Sequence, residues 1–193
     1  RIVFDEGHHL FDAADGAFSS HLTAMETAEL RRWLRGPEND RRRGRGLAER
    51  VGDLVSREDG GEAAVEEVLR AAHALPSSGF MRRIHEGRGE GPAERFFALV
   101  RQQVLARDGE ETGFTQEADC QPLIPGLGEA SGEFAAALID LRRPMERLAK
   151  LLAAKLDDEA AELNSAERGR IEALSRSLRR RGELMVGGWL ATL

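Results

Sequence analysis

From Phe134 onward an apolar residue recurs at steps of four, three, four, three, four and four: Phe134, Leu138, Leu141, Met145, Leu148, Leu152 and Leu156. A period this close to 3.5 residues places all seven side chains on one stripe of an α-helix, whereas a strand would scatter them over both faces. An apolar stripe of that length has to be covered, so the segment from Ser131 to about Leu163 is expected to be a long helix packed on partners. About 30 helical residues span roughly 45 Å. Pro144 lies inside the segment, removes one N–H from the ladder and is expected to kink or split the helix. Asn164-Ser165 can cap a following helix through Ile171, Leu174 and Leu178. Gly182 and Gly187-Gly188 are expected to interrupt that helix before Trp189, Leu190 and Leu193. A tight turn near Asn164 would fold the two helices into an antiparallel hairpin.

The chain upstream also reads as helical. Thr23-Ala24-Met25-Glu26 is a capping-box pattern leading into Ala28, Leu30, Trp33 and Leu34, with Gly36-Pro37 as the stop. Residues 37–46 are polar and arginine-rich, hence a loop. Leu47, Val51, Leu54 and Val55 form a second face, broken by Gly60-Gly61. Ala64, Val65, Val68, Leu69, Ala72 and Leu75 form a third, closed by Pro76. Residues 76–91 read as a mobile connection around a short turn. Pro92 suits the first position of a helix carrying Phe96, Phe97, Val100, Val104 and Leu105. Residues 108–130 are rich in Gly and Pro and read as irregular, with room for a short strand near Phe114 or Leu123-Ile124. The expected fold class is mainly α, a helical domain with a long antiparallel hairpin. The exception is the front, where Ile2-Val3-Phe4 is a short β-prone run that needs partner strands. With no lead-in before it, Arg1 is expected to be a cut point and the partner strands to lie elsewhere.

Several function classes drop out on composition. No run of 18 apolar residues exists, so no membrane span is expected. A single cysteine, Cys120, excludes an internal disulfide and any all-cysteine zinc or iron–sulfur site, and no neighbour in sequence would activate it. No secretory signal opens the chain, so the cytoplasm is the expected compartment. The net charge is -6, yet it is unevenly spread. Of 28 basic residues only Lys150 and Lys155 are lysine; the rest are arginine, the better fork for phosphates and carboxylates. Between Arg31 and Arg57 nine arginines face four acids, and between Arg168 and Arg181 six face one, so each stretch is locally +5. Such clusters read either as solvated helix faces or as phosphate contacts. Arg41, Arg42, Arg43 and Arg45 in the first, and Arg176, Arg179, Arg180 and Arg181 in the second, are the candidate nucleic-acid residues. Aromatic stacking platforms are sparse nearby: Trp33, expected to pack in the core, and Phe80.

The chemistry-bearing motif is Asp5-Glu6-Gly7-His8, directly after the apolar run. A carboxylate at the carboxyl end of a parallel strand can hold Mg²⁺, and a second one beside it can activate water. The bland alternative is a strand-to-helix turn whose acids cap the next helix. His8, His9 and Asp12 are close in sequence, and on a helix starting at His8 the side chains of His8 and Asp12 would share a face as metal ligands, but with no third contributor and no H-E-x-x-H pattern. His21, His73 and His85 are isolated.

The opening Arg1-Ile-Val-Phe-Asp-Glu-Gly-His-His-Leu-Phe-Asp-Ala-Ala-Asp15 resembles the Walker B, DEAH-type motif of the DinG/XPD-like superfamily 2 DNA helicases, closest to the bacterial DinG-like branch. Gly7 stands where the family has alanine; both acids and the histidine are kept. The resemblance implies that residues 1–19 end a motor-domain strand. It implies that residues 20–181 are the family's arch-like helical insertion and that residues 182–193 return toward the motor. It further implies that Asp5 serves the Mg²⁺ of ATP, that Glu6 activates water and that His8 couples hydrolysis to the motor. Partners would be single-stranded DNA and the remaining motor domains. No G-x-x-x-x-G-K-[ST] loop occurs in the chain, so the segment alone is expected to be inactive toward ATP. Two other classes stay open: a helical protein-interaction domain, marked by an unfilled apolar stripe over residues 134–156, and a small metal enzyme built on Asp5, Glu6, His8 and His9.

Overall fold

The computed structural model describes residues 13, 21–38, 44–108, 116–158 and 163–193, and among them all regular structure is helical. Thr23 opens helix α1 (Ala24–Arg35): its Oγ1 accepts the Glu26 N–H at 3.1 Å and donates to the Glu26 carboxylate at 3.0 Å. Gly36, at φ 85°, ends the helix in a conformation that a side chain would oppose. Short α2 (Leu47–Val51) runs into a 3₁₀ turn, Gly52–Leu54, and α3 (Gly61–Ala71) into another, Ala72–Ala74. Then come α4 (Phe80–His85), α5 (Gly91–Asp108), α6 (Leu127–Asp158), α7 (Ser165–Arg179), a π segment Arg180–Val186, and α8 (Gly187–Thr192).

Helix α6 is the axis of the fold, with α7, α3 and α5 packed around it. Its 32 residues run as one helix through Pro144, so of the two alternatives, kink or split, the split does not occur. The reason is packing. Phe134, Leu138, Leu141, Met145 and Leu148 are fully buried, on both sides of the proline. Each such side chain contributes roughly 1.5–3 kcal/mol, so together they outweigh the ~3 kcal/mol a mid-helix proline costs. The Phe134 ring meets Phe96 and Phe97 of α5 at 5.6 and 5.8 Å. Antiparallel to α6 lies α7. Asn164 caps it with a complete capping box, and Ser175 Oγ donates across the hairpin to the Ala149 carbonyl at 3.0 Å.

Three expectations are corrected. Gly182 and Gly187-Gly188 do not interrupt the last helix; the backbone widens into a π segment and continues. The extra residue per turn carries the buried stripe from Leu178 to Gly182, Val186 and Trp189, so the end of the chain stays on the core. Residues 76–91 are not a loose connection but contain α4, clasped to α5. The Glu94 carboxylate, 1% exposed, accepts from Arg83 at 2.6 and 2.7 Å, from the Glu90 N–H at 3.0 Å and from the Ser77 N–H at 3.1 Å. Gly89 allows this close approach: a Cβ there would lie 2.4 Å from the Glu94 backbone carbon. No strand forms at Leu123-Ile124. Backbone groups of the segment are taken by side chains of α5: Arg107 donates to the Gln121 and Pro122 carbonyls, and the buried Gln103 shares the Pro122 carbonyl and takes others. Its amide nitrogen donates to the carbonyls of Asp119, Cys120 and Pro122, and its oxygen accepts the Ile124 N–H at 2.8 Å. The expected strand remnant at residues 2–4 lies outside the described residues, as does Phe114.

Candidate functional site

The arginines of the first cluster divide by what they touch. Arg31 donates to the carbonyls of Ala72, His73 and Leu75 at 3.3, 3.0 and 2.8 Å and to Glu38 at 2.9 Å. Arg35 donates to the Leu69 carbonyl at 2.7 Å, and Arg57 pairs with Glu62 at 3.0 Å. Arg31 and Arg35 close the carbonyl-rich end of α3 and its 3₁₀ turn, where a positive charge is also favoured by the helix dipole. Glu38 completes this knot. Burial pushes its carboxyl up, but the Ser78 N–H and the Arg31 fork overcome that and hold it below the ordinary carboxylate range.

Arg45 and Arg50 face the other way. They line a groove of about 590 Å³ together with Glu49 and with Arg170, Ala173 and Leu174 of α7. Two stretches far apart in sequence therefore converge: α2 and the residues just before it bring one cluster, α7 the other. Arg50 Nε donates to the Arg45 carbonyl at 2.8 Å, and Arg170 reaches Asp53 at 3.0 Å. The Arg170 hydrogen bond, with its charge, holds the exposed Asp53 carboxyl below its usual value. The Arg45 side chain has no ion partner among the described residues.

Trp33 of α1 stands at the junction. The Arg181 guanidinium carbon lies 4.1 Å from the indole ring centroid and that of Arg50 5.5 Å. The electron-rich ring face lets two guanidinium groups sit near one another. Arg181 also donates to Ser177 Oγ. Burial, then the charges of Arg180 and Arg50, draws its pKa below the usual arginine value. Among the described residues, the carboxylates placed with the groove are Glu49, which lines it, and Asp53, which pairs with Arg170.

The second cluster is split by helical geometry. Positions 170 and 181 lie three turns apart on the face toward α2 and Trp33. Arg176, Arg179 and Arg180 lie on a different face. They line a groove of about 450 Å³ with Ala153, Leu156, Glu172, Ser175, Glu183 and Leu184. None of these three arginines forms an ion pair among the described residues.

Of the residues singled out on sequence, Asp5, Glu6, His8, Arg41, Arg42 and Arg43 lie outside the described residues. Arg45 lines one groove and Arg176, Arg179 and Arg180 another, while Arg181 stands over the Trp33 ring. Arg50, Arg170 and the face-on role of Trp33 were missed. The eleven-residue spacing of Arg170 and Arg181 was the available signal for a shared face. Trp33 is half-buried at the edge of the core rather than inside it. His21, His73 and His85 are exposed, and Cys120 is exposed in the loop that Gln103 holds. Among the described residues no group of three or more His, Cys, Asp or Glu is placed to hold a metal, and no helix is long and apolar enough to cross a membrane. No known protein family, no curated protein and no solved structure matches this chain.

Proposed function

We propose that this chain is the helical accessory module of a DinG/XPD-like ATP-dependent DNA helicase, guiding or gating single-stranded DNA beside the motor. The Asp5-Glu6-Gly7-His8 motif supports the link to a motor. In the full-length protein Asp5 would serve the Mg²⁺ of ATP, Glu6 would activate water and His8 would couple the site to neighbouring motor elements. The segment by itself is then inactive toward ATP. The nucleic-acid part rests on one observation: Arg45, Arg50 and Arg170 line one groove with Glu49, and Arg50 together with Arg181 also stands over the Trp33 ring, so that guanidinium outnumbers carboxylate there. Such a surface fits phosphates. With Trp33 already covered by guanidinium groups, base stacking contributes little, so binding would follow the backbone and ignore sequence.

The test is the fluorescence anisotropy of a labelled oligo-dT strand over a range of salt. Four phosphate contacts on a single strand give a slope of about -3 in log K against log salt. Arg45→Glu with Arg50→Glu should weaken binding and flatten that slope. Unchanged affinity in this variant, or affinity indifferent to salt, would reject the reading. A docking arm built on the stripe from residue 134 to 156 gains no support, because Phe134 through Leu152 are covered by the chain itself.

A further inference from the structure

The groove on the opposite side of α7 differs in chemistry from the arginine–tryptophan corner. Its floor is aliphatic, formed by Ala153 and Leu156 of α6 and by Leu184. Leu184 is 72% exposed, the most exposed large apolar side chain among the described residues. It is held out by the π segment, which turns Val186 inward instead. Around this floor stand Arg176, Arg179 and Arg180, exposed and without ion pairs among the described residues.

We propose that this groove docks an acidic amphipathic helix from a partner protein. Leucines on that helix would cover Leu184 and Leu156, and its carboxylates would pair with Arg176, Arg179 and Arg180. Two observations favour such a helix over a nucleic-acid strand. An exposed leucine beside an aliphatic floor has no counterpart in a phosphate backbone, but it matches the apolar stripe of an amphipathic helix. Among the described residues no aromatic side chain lines the groove to stack a base, and the Glu172 and Glu183 carboxylates that line it repel phosphates. A peptide can place its carboxylates opposite the three arginines and its neutral residues opposite those two acids. A groove of about 450 Å³ has room for a few side chains. The inference stands apart from the DNA reading, which uses other residues.

The probe is a fluorescein-labelled glutamate-rich peptide of about 16 residues, long enough to hold a helix on a surface, with leucines spaced for one helical face. A scrambled peptide of the same composition is the control. The ordered peptide should bind the intact chain and the scrambled one should bind at least about tenfold more weakly. Leu184→Ser should cost about tenfold, the weight of one apolar side chain left out of the contact, and should leave oligo-dT binding unchanged. Arg176→Glu with Arg179→Glu should cost at least as much. Equal binding of the two peptides, or no effect of Leu184→Ser, overturns the proposal. Failure of the peptide, with loss of oligo-dT binding in the arginine variant, would give this face to nucleic acid. Self-association of the chain that Leu184→Ser abolishes would give it to a second copy. Either result also overturns the proposal, and neither bears on Arg45, Arg50, Arg170 and Arg181.

Discussion

Removing the Glu94 carboxylate tests whether the α4–α5 clasp is a structural keystone. In Glu94→Ala the Arg83 guanidinium, whose side chain is 17% exposed, loses a bidentate partner, and the Ser77 and Glu90 N–H groups lose their acceptor. Breaking a buried ion pair by deleting one partner costs roughly 3–5 kcal/mol. Arg83 keeps some water and still bonds the Ser77 and Ser78 carbonyls, so the low end, about 3 kcal/mol, is expected. For a chain of 193 residues that lowers Tm by about 6–12 °C. The assay is thermal and urea unfolding followed by circular dichroism, run as a cycle with Arg83→Ala and the double variant. The cycle should return a coupling of about 2 kcal/mol. The pH dependence has a definite sign. Burial raises the Glu94 carboxyl, but the Arg83 fork and the two N–H groups overcome it and hold the folded value below the ordinary one. The stabilisation is therefore present above the unfolded carboxylate pKa of about 4.3 and is lost as pH falls through the folded value. Glu94→Ala should flatten that acid limb. A Tm within about 3 °C of the parent, or a coupling near zero, would refute the keystone role.

Three further outcomes are expected. Phe134→Ala removes a fully buried ring from the N-terminal part of α6 and should cost about 3–5 kcal/mol in urea unfolding, while Ile139→Ala, on the exposed side of the same helix, should stay within about 0.5 kcal/mol. Asn164→Ala removes the capping box of α7 and should cost about 1 kcal/mol, seen as a lower urea midpoint with an unchanged slope. Gln103→Ala strands the Asp119 and Cys120 carbonyls and the Ile124 N–H, while the Pro122 carbonyl keeps Arg107; the Ile124 amide should exchange with deuterium markedly faster, with the α6–α7 amides unaffected.

The helices were legible because their signals are local. The Thr23 and Asn164 caps, the Gly36 stop and the stripe from Phe134 to Leu156 each depend on residues within one or two turns. Local spacing also shows the charge clusters, and with them the candidate site as a set of arginines. It does not show which arginine is occupied. Arg31 and Arg35 carry the same charge as Arg45 and Arg50, yet the first two are bound to carbonyls about 40 residues away and the last two line a groove with α7. The partners are set by how α1, α2 and α7 come together.

The same reason accounts for the corrections. Pro144 reads as a kink or a split and Gly182 as a break because propensity is a local quantity of a few kcal/mol. Burial of the whole α6–α7 seam is larger and wins at both positions. Residues 76–91 and 116–125 carry no hydrophobic period, so nothing nearby in sequence announces that Glu94 and Gln103 gather their backbone. Composition and periodicity determined that the chain would be helical, with a long hairpin at its centre. Long-range packing alone determined which polar side chains hold that structure together and which remain for a ligand, because one side chain can satisfy a distant segment only after the helices have met.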